Sequence, residues 1–140
     1  MRYSQFGQLE EEVSVIGFGA ASLSGSGGGY GFGTIEDDDA TALVHAAQDA
    51  GINLFDTAPI YGFGESERRL GLALSGRRDE AFLVSKCGVA YDANQNVRID
   101  NSPTTTQRML EASLTRLQTE MVDLYLVHWP DQNVDIRKTM

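Results

Sequence analysis

Four short apolar runs recur along this chain, and each is followed by a segment suited to a helix. The runs are Val13 to Phe18, Ile52 to Phe55, Ala81 to Ser85 and Val122 to Val127. Runs of this length between turn signals read as buried strands. After the first, Thr34 is placed as an N-cap with Asp37 three residues on, and Glu36 to Asp39 put negative charge where a helix dipole favours it. Ala40, Leu43, Val44 and Ala47 then repeat at helical spacing, and Gly51 stops the helix. A second helix is expected from Ser66 to Leu74, closed by Gly76. A polar loop is expected from Gly88 to Asn101. Ser102 and Pro103 then open a third helix as N-cap and first residue, with Met109, Leu110, Leu114 and Leu117 as its buried face. The segment from Val134 to Met140 reads as the start of another helix. Strands alternating with helices imply an α/β domain, residues 1–140, built on a parallel sheet with right-handed crossovers.

The polar residues that follow the strands carry the chemistry. Asp56, Lys86 and His128 each stand at a C-terminal strand end, and Tyr61 lies in the loop after the second strand. In a parallel sheet these ends share one side, which is the active face of an α/β barrel. The residue types complement one another. A tyrosine hydroxyl ionises only near pH 10 in water, and an ammonium beside it favours the phenolate. Lys86 supplies such a charge, Asp56 can hold the lysine in place, and His128 can donate a hydrogen bond to a substrate oxygen. The set suits proton transfer to a carbonyl oxygen as hydride reaches its carbon, or the reverse. Taken singly, each residue has a plainer reading. Asp56 could be a turn or capping residue, Tyr61 a pocket ring, Lys86 a solvated strand end and His128 a core histidine.

The segments GFGAAS (17–22), DTAPIYGFGESERRLG (56–71), LVSKCG (83–88) and ASLTRLQTEMVDLYLVHWPD (112–131) resemble the aldo-keto reductases, in order and spacing over nearly the whole chain. The resemblance implies a TIM (β/α)8 barrel that transfers hydride between NADP(H) and a small carbonyl substrate or its alcohol. It implies a catalytic set of Asp56, Tyr61, Lys86 and His128. Tyr61 is then the general acid or base, the lysine–aspartate pair tunes it, and His128 orients the carbonyl. Gly19 and Asp56 fall near the cofactor, and Trp129 near the substrate. The wording DTAPIYGFGESE is similar to branches acting on small aldehydes or sugars.

A barrel of this kind takes eight strands and about 250 residues, so four strands correspond to an N-terminal half, truncated after the fourth. The family's later half carries most of the cofactor grip, which has no counterpart here. Two functional readings follow: an NADP(H)-dependent oxidoreductase, or a non-catalytic half-barrel that forms a homodimer or pairs with a C-terminal half. A doubly wound sheet is a third, structural alternative. In a half-barrel the strands ending at Gly19 and His128 are open edges. Inward residues on alternate positions of 52–55, 82–84 and 124–127 lose their opposing half.

Other signals are weaker. GFGAAS nearly matches a dinucleotide fingerprint, but no helix starts there and the next strand-end acid comes too late. The glycines from Gly25 to Gly33 suit a flexible rim loop, and Arg68 and Arg69 a solvated helix face. The formal charge of −9 argues against a nucleic-acid partner or an anionic membrane surface. No apolar run approaches a membrane span, and MRYSQFGQLEEE lacks the apolar core of a signal peptide. The single cysteine, Cys87, leaves no internal disulfide and no cysteine-cluster metal site. A cytoplasmic location with no bound metal is the expectation.

Overall fold

The computed structural model describes residues 1–27 and 30–139. Gly28 and Gly29 of the glycine-rich loop, and Met140 at the end of the last expected helix, lie outside the described residues. The chain opens with an antiparallel hairpin of β1 (Tyr3–Gln5) and β2 (Glu12–Ser14). It enters the main sheet at β3 (Phe18–Gly19), crosses through α1 (Asp37–Asp49) to β4 (Leu54–Asp56), and through α2 (Glu65–Ala73) to β5 (Phe82–Cys87). A second antiparallel hairpin follows, β6 (Val89–Tyr91) with β7 (Val97–Ile99). The chain then crosses α3 (Pro103–Leu117) to β8 (Leu124–Val127) and begins α4 (Ile136–Thr139).

The main sheet is parallel throughout, in the order β3-β4-β5-β8. Among the described residues its order never reverses, so it has no topological switch point of the doubly wound kind. Helices α1, α2 and α3 also lie on one face. Phe55 and Leu83 point outward into a core made with Ala40, Val44 and Ala47 of α1, Leu70 and Ala73 of α2, and Leu117 of α3. This is the wall of a barrel, with strands inside and helices outside. The sheet edges are β3 and β8, the two expected from the sequence.

The register fixes which residues face inward. Gly19 pairs with Asp56, Asp56 with Val84, Val84 with Leu124, and Lys86 with Leu126. Paired residues share a face of the sheet, and alternation then puts Leu54 and Phe82 on it as well. The inward side is not bare as expected. The N-terminal hairpin folds under it, with Phe6 and Val13 packed against Phe82 and Val84, and the Phe6 and Phe82 rings 5.0 Å apart. Phe82 and Val84 are therefore buried, while Leu54 and Leu124 are only partly covered and Leu126 stays exposed.

The structure corrects several boundaries. The run from Val13 to Phe18 is not one strand. Glu12–Ser14 belongs to the hairpin, and only Phe18–Gly19 joins the sheet. Glu36 rather than Thr34 occupies the N-cap of α1, and no side chain caps it. Leu43 is exposed, because the buried stripe is Ala40, Val44 and Ala47. The buried face of α3 is Thr105, Met109, Ser113 and Leu117, with Leu110 and Leu114 only partly covered. Its start is as expected: the Ser102 hydroxyl accepts from the Thr105 N–H and Pro103 is the first helical residue. The loop from Gly88 to Asn101 contains the β6–β7 hairpin, whose turn is tied by Asp92 accepting from the Asn94 and Asn96 amides. Arg68 and Arg69 do not form a solvated face. Both reach Asp37 at the start of α1, and both pair with Glu65.

The loop between β4 and α2 is fixed from below. Gly62 has φ +64, its N–H donates to the Tyr30 carbonyl, and a Cβ there would overlap the Ser24 carbonyl oxygen. Left-handed backbone alone costs an L-residue about 1–2 kcal/mol, and the overlap adds to it. Gly62→Ala is therefore expected to destabilise the fold by at least that amount, read as a lower urea midpoint. Wild-type stability in this variant would refute the close packing at this point.

Candidate active site

Each expected catalytic group arrives at the same end of the sheet because parallel pairing aligns the C-terminal strand ends. Asp56 is the last residue of β4, Lys86 the penultimate residue of β5, and His128 directly follows β8. The His128 N–H donates to the Cys87 carbonyl, which continues the β5–β8 ladder and fixes the start of the next loop. Tyr61 sits in the β4–α2 loop, its ring packed among Ala58, Ile60 and Val89.

Lys86 is the centre of the group and is nearly buried. Its Nζ lies 2.7 and 2.8 Å from the two Asp56 carboxylate oxygens, 2.9 Å from the Thr57 carbonyl and 3.4 Å from the Tyr61 hydroxyl. An ammonium has three protons to donate and accepts none. Asp56, Thr57 and Tyr61 thus use its full capacity, and the last proton points at the phenol oxygen. The same Nζ stands 5.0 Å from the centre of the Tyr61 ring. His128 meets Tyr61 edge to face, with ring centroids 5.7 Å apart and planes at 87°. The four groups of the sequence reading are together.

The electrostatics distinguish His128. Burial first, and then the Lys86 ammonium, push its imidazole below the ordinary value of 6.5, against a smaller opposing pull from Asp56. It is neutral at pH 7 and holds one N–H for donation and one bare nitrogen for acceptance. Its folded form takes up a proton less readily than the unfolded chain does. The stability this contributes is full above about 6.5 and is lost as pH falls toward the folded midpoint.

Gly19 is exposed beside Asp56, and nothing lies within 4 Å of where its side chain would begin. Below it a cavity of about 390 Å³ is lined by Gly17, Phe18, Leu54, Asp56, Leu124 and Leu126 among others. Trp129 is 63% exposed, with its ring centroid 6.3 Å from His128. A larger concavity of about 750 Å³ lies at the opposite end of the strands. Its lining includes Glu11, Glu12, Asp79, Glu80 and Glu120, and its arginine, Arg78, is paired with Asp123. That rim repels a phosphate and stands away from Lys86. Cys87 is buried, and burial raises its thiol above the ordinary value. Among the described residues no cluster suits a metal ion, and no helix is long and apolar enough to cross a membrane.

The sequence reading missed the part played by Thr57. Its backbone carbonyl is a ligand of Lys86, and a carbonyl's direction leaves no trace in residue type. It also missed the β6–β7 hairpin that supports Tyr61 through Val89, Tyr91 and Val97. Here a signal existed: V-A-Y and V-R-I flank the turn residues D-A-N-Q-N. In an NMR titration, the His128 ring is expected to show a midpoint below 6.5. Lys86→Met should move it upward, because a neighbouring cation is lost and Asp56 is left unopposed. An unchanged midpoint in that variant would show that Lys86 does not act on the ring.

Comparison with known proteins bears on the family and the fold. The sequence model of the Aldo/keto reductase family matches residues 15–140. An aldo-keto reductase of Bacillus subtilis, YhdN, is 39% identical over 141 residues, covering 99% of this chain and 41% of the relative. The L-galactose dehydrogenase of Arabidopsis thaliana is 38% identical over 120 residues, covering 84% of this chain and 34% of its own. Among solved structures, the aldo-keto reductase AKR11C1 of Bacillus halodurans, in its holo form, superimposes with a TM-score of 0.87 at 31% identity, covering 99% of this chain and 44% of that one. An aldo-keto reductase of Klebsiella pneumoniae in complex with NADPH gives a TM-score of 0.72 at 30% identity, covering 91% and 39%. The chain thus spans less than half the length of these relatives. With its residues matched from 15 to 140 and its strands in the barrel order, it belongs to the aldo/keto reductase family.

Proposed function

We propose that this chain carries the proton-transfer half of an NADP(H)-dependent carbonyl reductase, with Tyr61 as general acid in reduction and general base in oxidation. The observation that carries the reading is the Lys86 ammonium, held by Asp56 and Thr57 and directed at the Tyr61 hydroxyl from 3.4 Å. When the Tyr61 proton passes to a carbonyl oxygen, a phenolate forms beside a fixed positive charge and needs no solvent reorganisation. The neutral His128 ring stands edge to face with the Tyr61 ring and is suited to orient the carbonyl by donating its N–H. Trp129 is available as a wall for the substrate, whose class is a small aldehyde, ketone or sugar.

The residues fit the reactive end of the cofactor. Bare backbone at Gly19, opposite Asp56, leaves room for a flat ring beside Asp56. When bound, NADPH supplies the hydride. Arg68 and Arg69 are already engaged by Asp37 and Glu65 and are not available to grip its phosphates. The chain by itself is thus expected to bind NADPH more weakly than about micromolar, a level that corresponds to roughly 8 kcal/mol. In a completed barrel, Tyr61→Phe should lower kcat by about 10²- to 10⁴-fold, the range of general acid–base catalysis, while NADPH affinity persists. Equal turnover in that variant would remove Tyr61 from its role.

A second reading concerns what covers the inward face. The partly covered Leu54 and Leu124, the exposed Leu126 and the open edges of β3 and β8 support completion by further βα units of the same family type. Light scattering at low micromolar concentration tests it. The chain alone should associate, and a compact monomer with a cooperative melt would show that the hairpin under the sheet is cover enough.

A further inference from the structure

Ser66 and Glu67 are consecutive residues of α2, and both are wholly buried although both are polar. A helix turns about 100° per residue, so the two side chains leave α2 in different directions. The Ser66 hydroxyl donates to the Ala20 carbonyl at 2.6 Å and lies 2.9 Å from the Thr57 hydroxyl. A serine has one hydroxyl proton, so with it committed to Ala20 the Thr57 hydroxyl must be the donor to Ser66. Glu67 takes the other side. One carboxylate oxygen accepts from the Ser85 hydroxyl at 2.7 Å, and the other pairs with Arg116 of α3 at 2.7 Å.

Thr57 and Ser85 are the immediate neighbours of Asp56 and Lys86 in the chain. Thr57 also presents to Lys86 the carbonyl described above, and its own N–H donates to the Val84 carbonyl. The Ser66 N–H donates to the Tyr61 carbonyl. Tyr61 is thus one hydrogen bond from this buried pair, and Asp56 and Lys86 each adjoin a residue that hydrogen-bonds to it. The Ser85–Glu67 contact lies on the helix side of the sheet, opposite the face that carries Asp56 and Lys86.

We infer that Ser66 and Glu67 are positioning residues, a two-pronged clamp that fixes the ends of β4 and β5 so that the Lys86 ammonium stays aimed at Tyr61. The inference rests on the proposed role of Tyr61 for its catalytic meaning, but not for its geometry. A buried hydroxyl pair that served stability alone would have no reason to be coupled to the ammonium. A clamp predicts that losing it loosens the ammonium specifically.

The chain has two lysines, Lys86 and the exposed Lys138, so ¹⁵Nζ-lysine NMR reports on Lys86 directly. In the full chain, Thr57→Val and Ser85→Ala should each speed exchange of the Lys86 ammonium protons with water by roughly tenfold, the effect of one hydrogen bond. Thr57→Ser, which keeps the hydroxyl, should restore slow exchange. Ser14→Ala removes a buried hydroxyl from the hairpin under the sheet and should lower the melting temperature without touching Lys86 exchange. Unchanged exchange in folded Thr57→Val and Ser85→Ala overturns the clamp. If Thr57→Val does not fold, Ser85→Ala decides alone. In a completed barrel the same variants should lower kcat and leave KM unchanged. Retained turnover in Tyr61→Phe would dismiss the acid–base reading and leave the exchange result standing on its own.

Discussion

A nearly buried ammonium is an expensive group unless each of its protons finds an acceptor, and Lys86 is where this fold meets that demand. The carboxylate at the end of β4 takes the charge, the next peptide group takes a second proton, and the phenol takes the third. Those acceptors come from one strand end and the loop after it. Their convergence therefore requires that β4 and β5 pair in one register, that the loop turn back tightly at Gly62, and that α2 lie across both strands. The rest of the architecture can be read as the means of holding those three conditions together.

Much of this was legible in the sequence because it rests on local chemistry. Ser102 and Pro103 begin α3 where capping rules put them, and Gly51 has the positive φ expected just past the end of α1, whereas Gly76 lies in the turn after the Leu74 cap of α2. The strand-end positions of Asp56, Lys86 and His128 followed from apolar runs, and parallel pairing did the rest. What escaped the sequence was non-local. The run from Val13 to Phe18 looks continuous, yet it is divided between a hairpin and the sheet, because Ser14 is drawn aside by Asn53. The exposed strand Tyr3–Gln5 has no buried alternation to betray it. Arg68 and Arg69 read as solvated until α1 brings Asp37 against them. That contact holds the Asp37 carboxyl down to about 2, so the tie between the two helices survives mild acid and is lost only as pH falls toward that value.

The hairpin beneath the sheet changes the energetics of an open barrel wall. Phe6 and Val13 cover the lower inward residues, which would otherwise face water. Among the described residues the upper layer, around Leu126 and Lys86, has no such cover. The two ends of the inward face thus have different needs: the lower end is covered by the N-terminal hairpin, and the upper end, beside Lys86, stays open.

The shortness of β3 has its own consequence. Only two residues join it to the sheet, and their register places Gly19, rather than a side chain, across from Asp56. A slip of one residue would bring Phe18 or Ala20 to that position. A phenyl ring there would occupy the ground beside the reacting group. The stretch linking the hairpin to the sheet is thus a ruler: an insertion or deletion between Ser14 and Gly19 that shifted this register would put a side chain beside Asp56 without altering Asp56, Tyr61, Lys86 or His128.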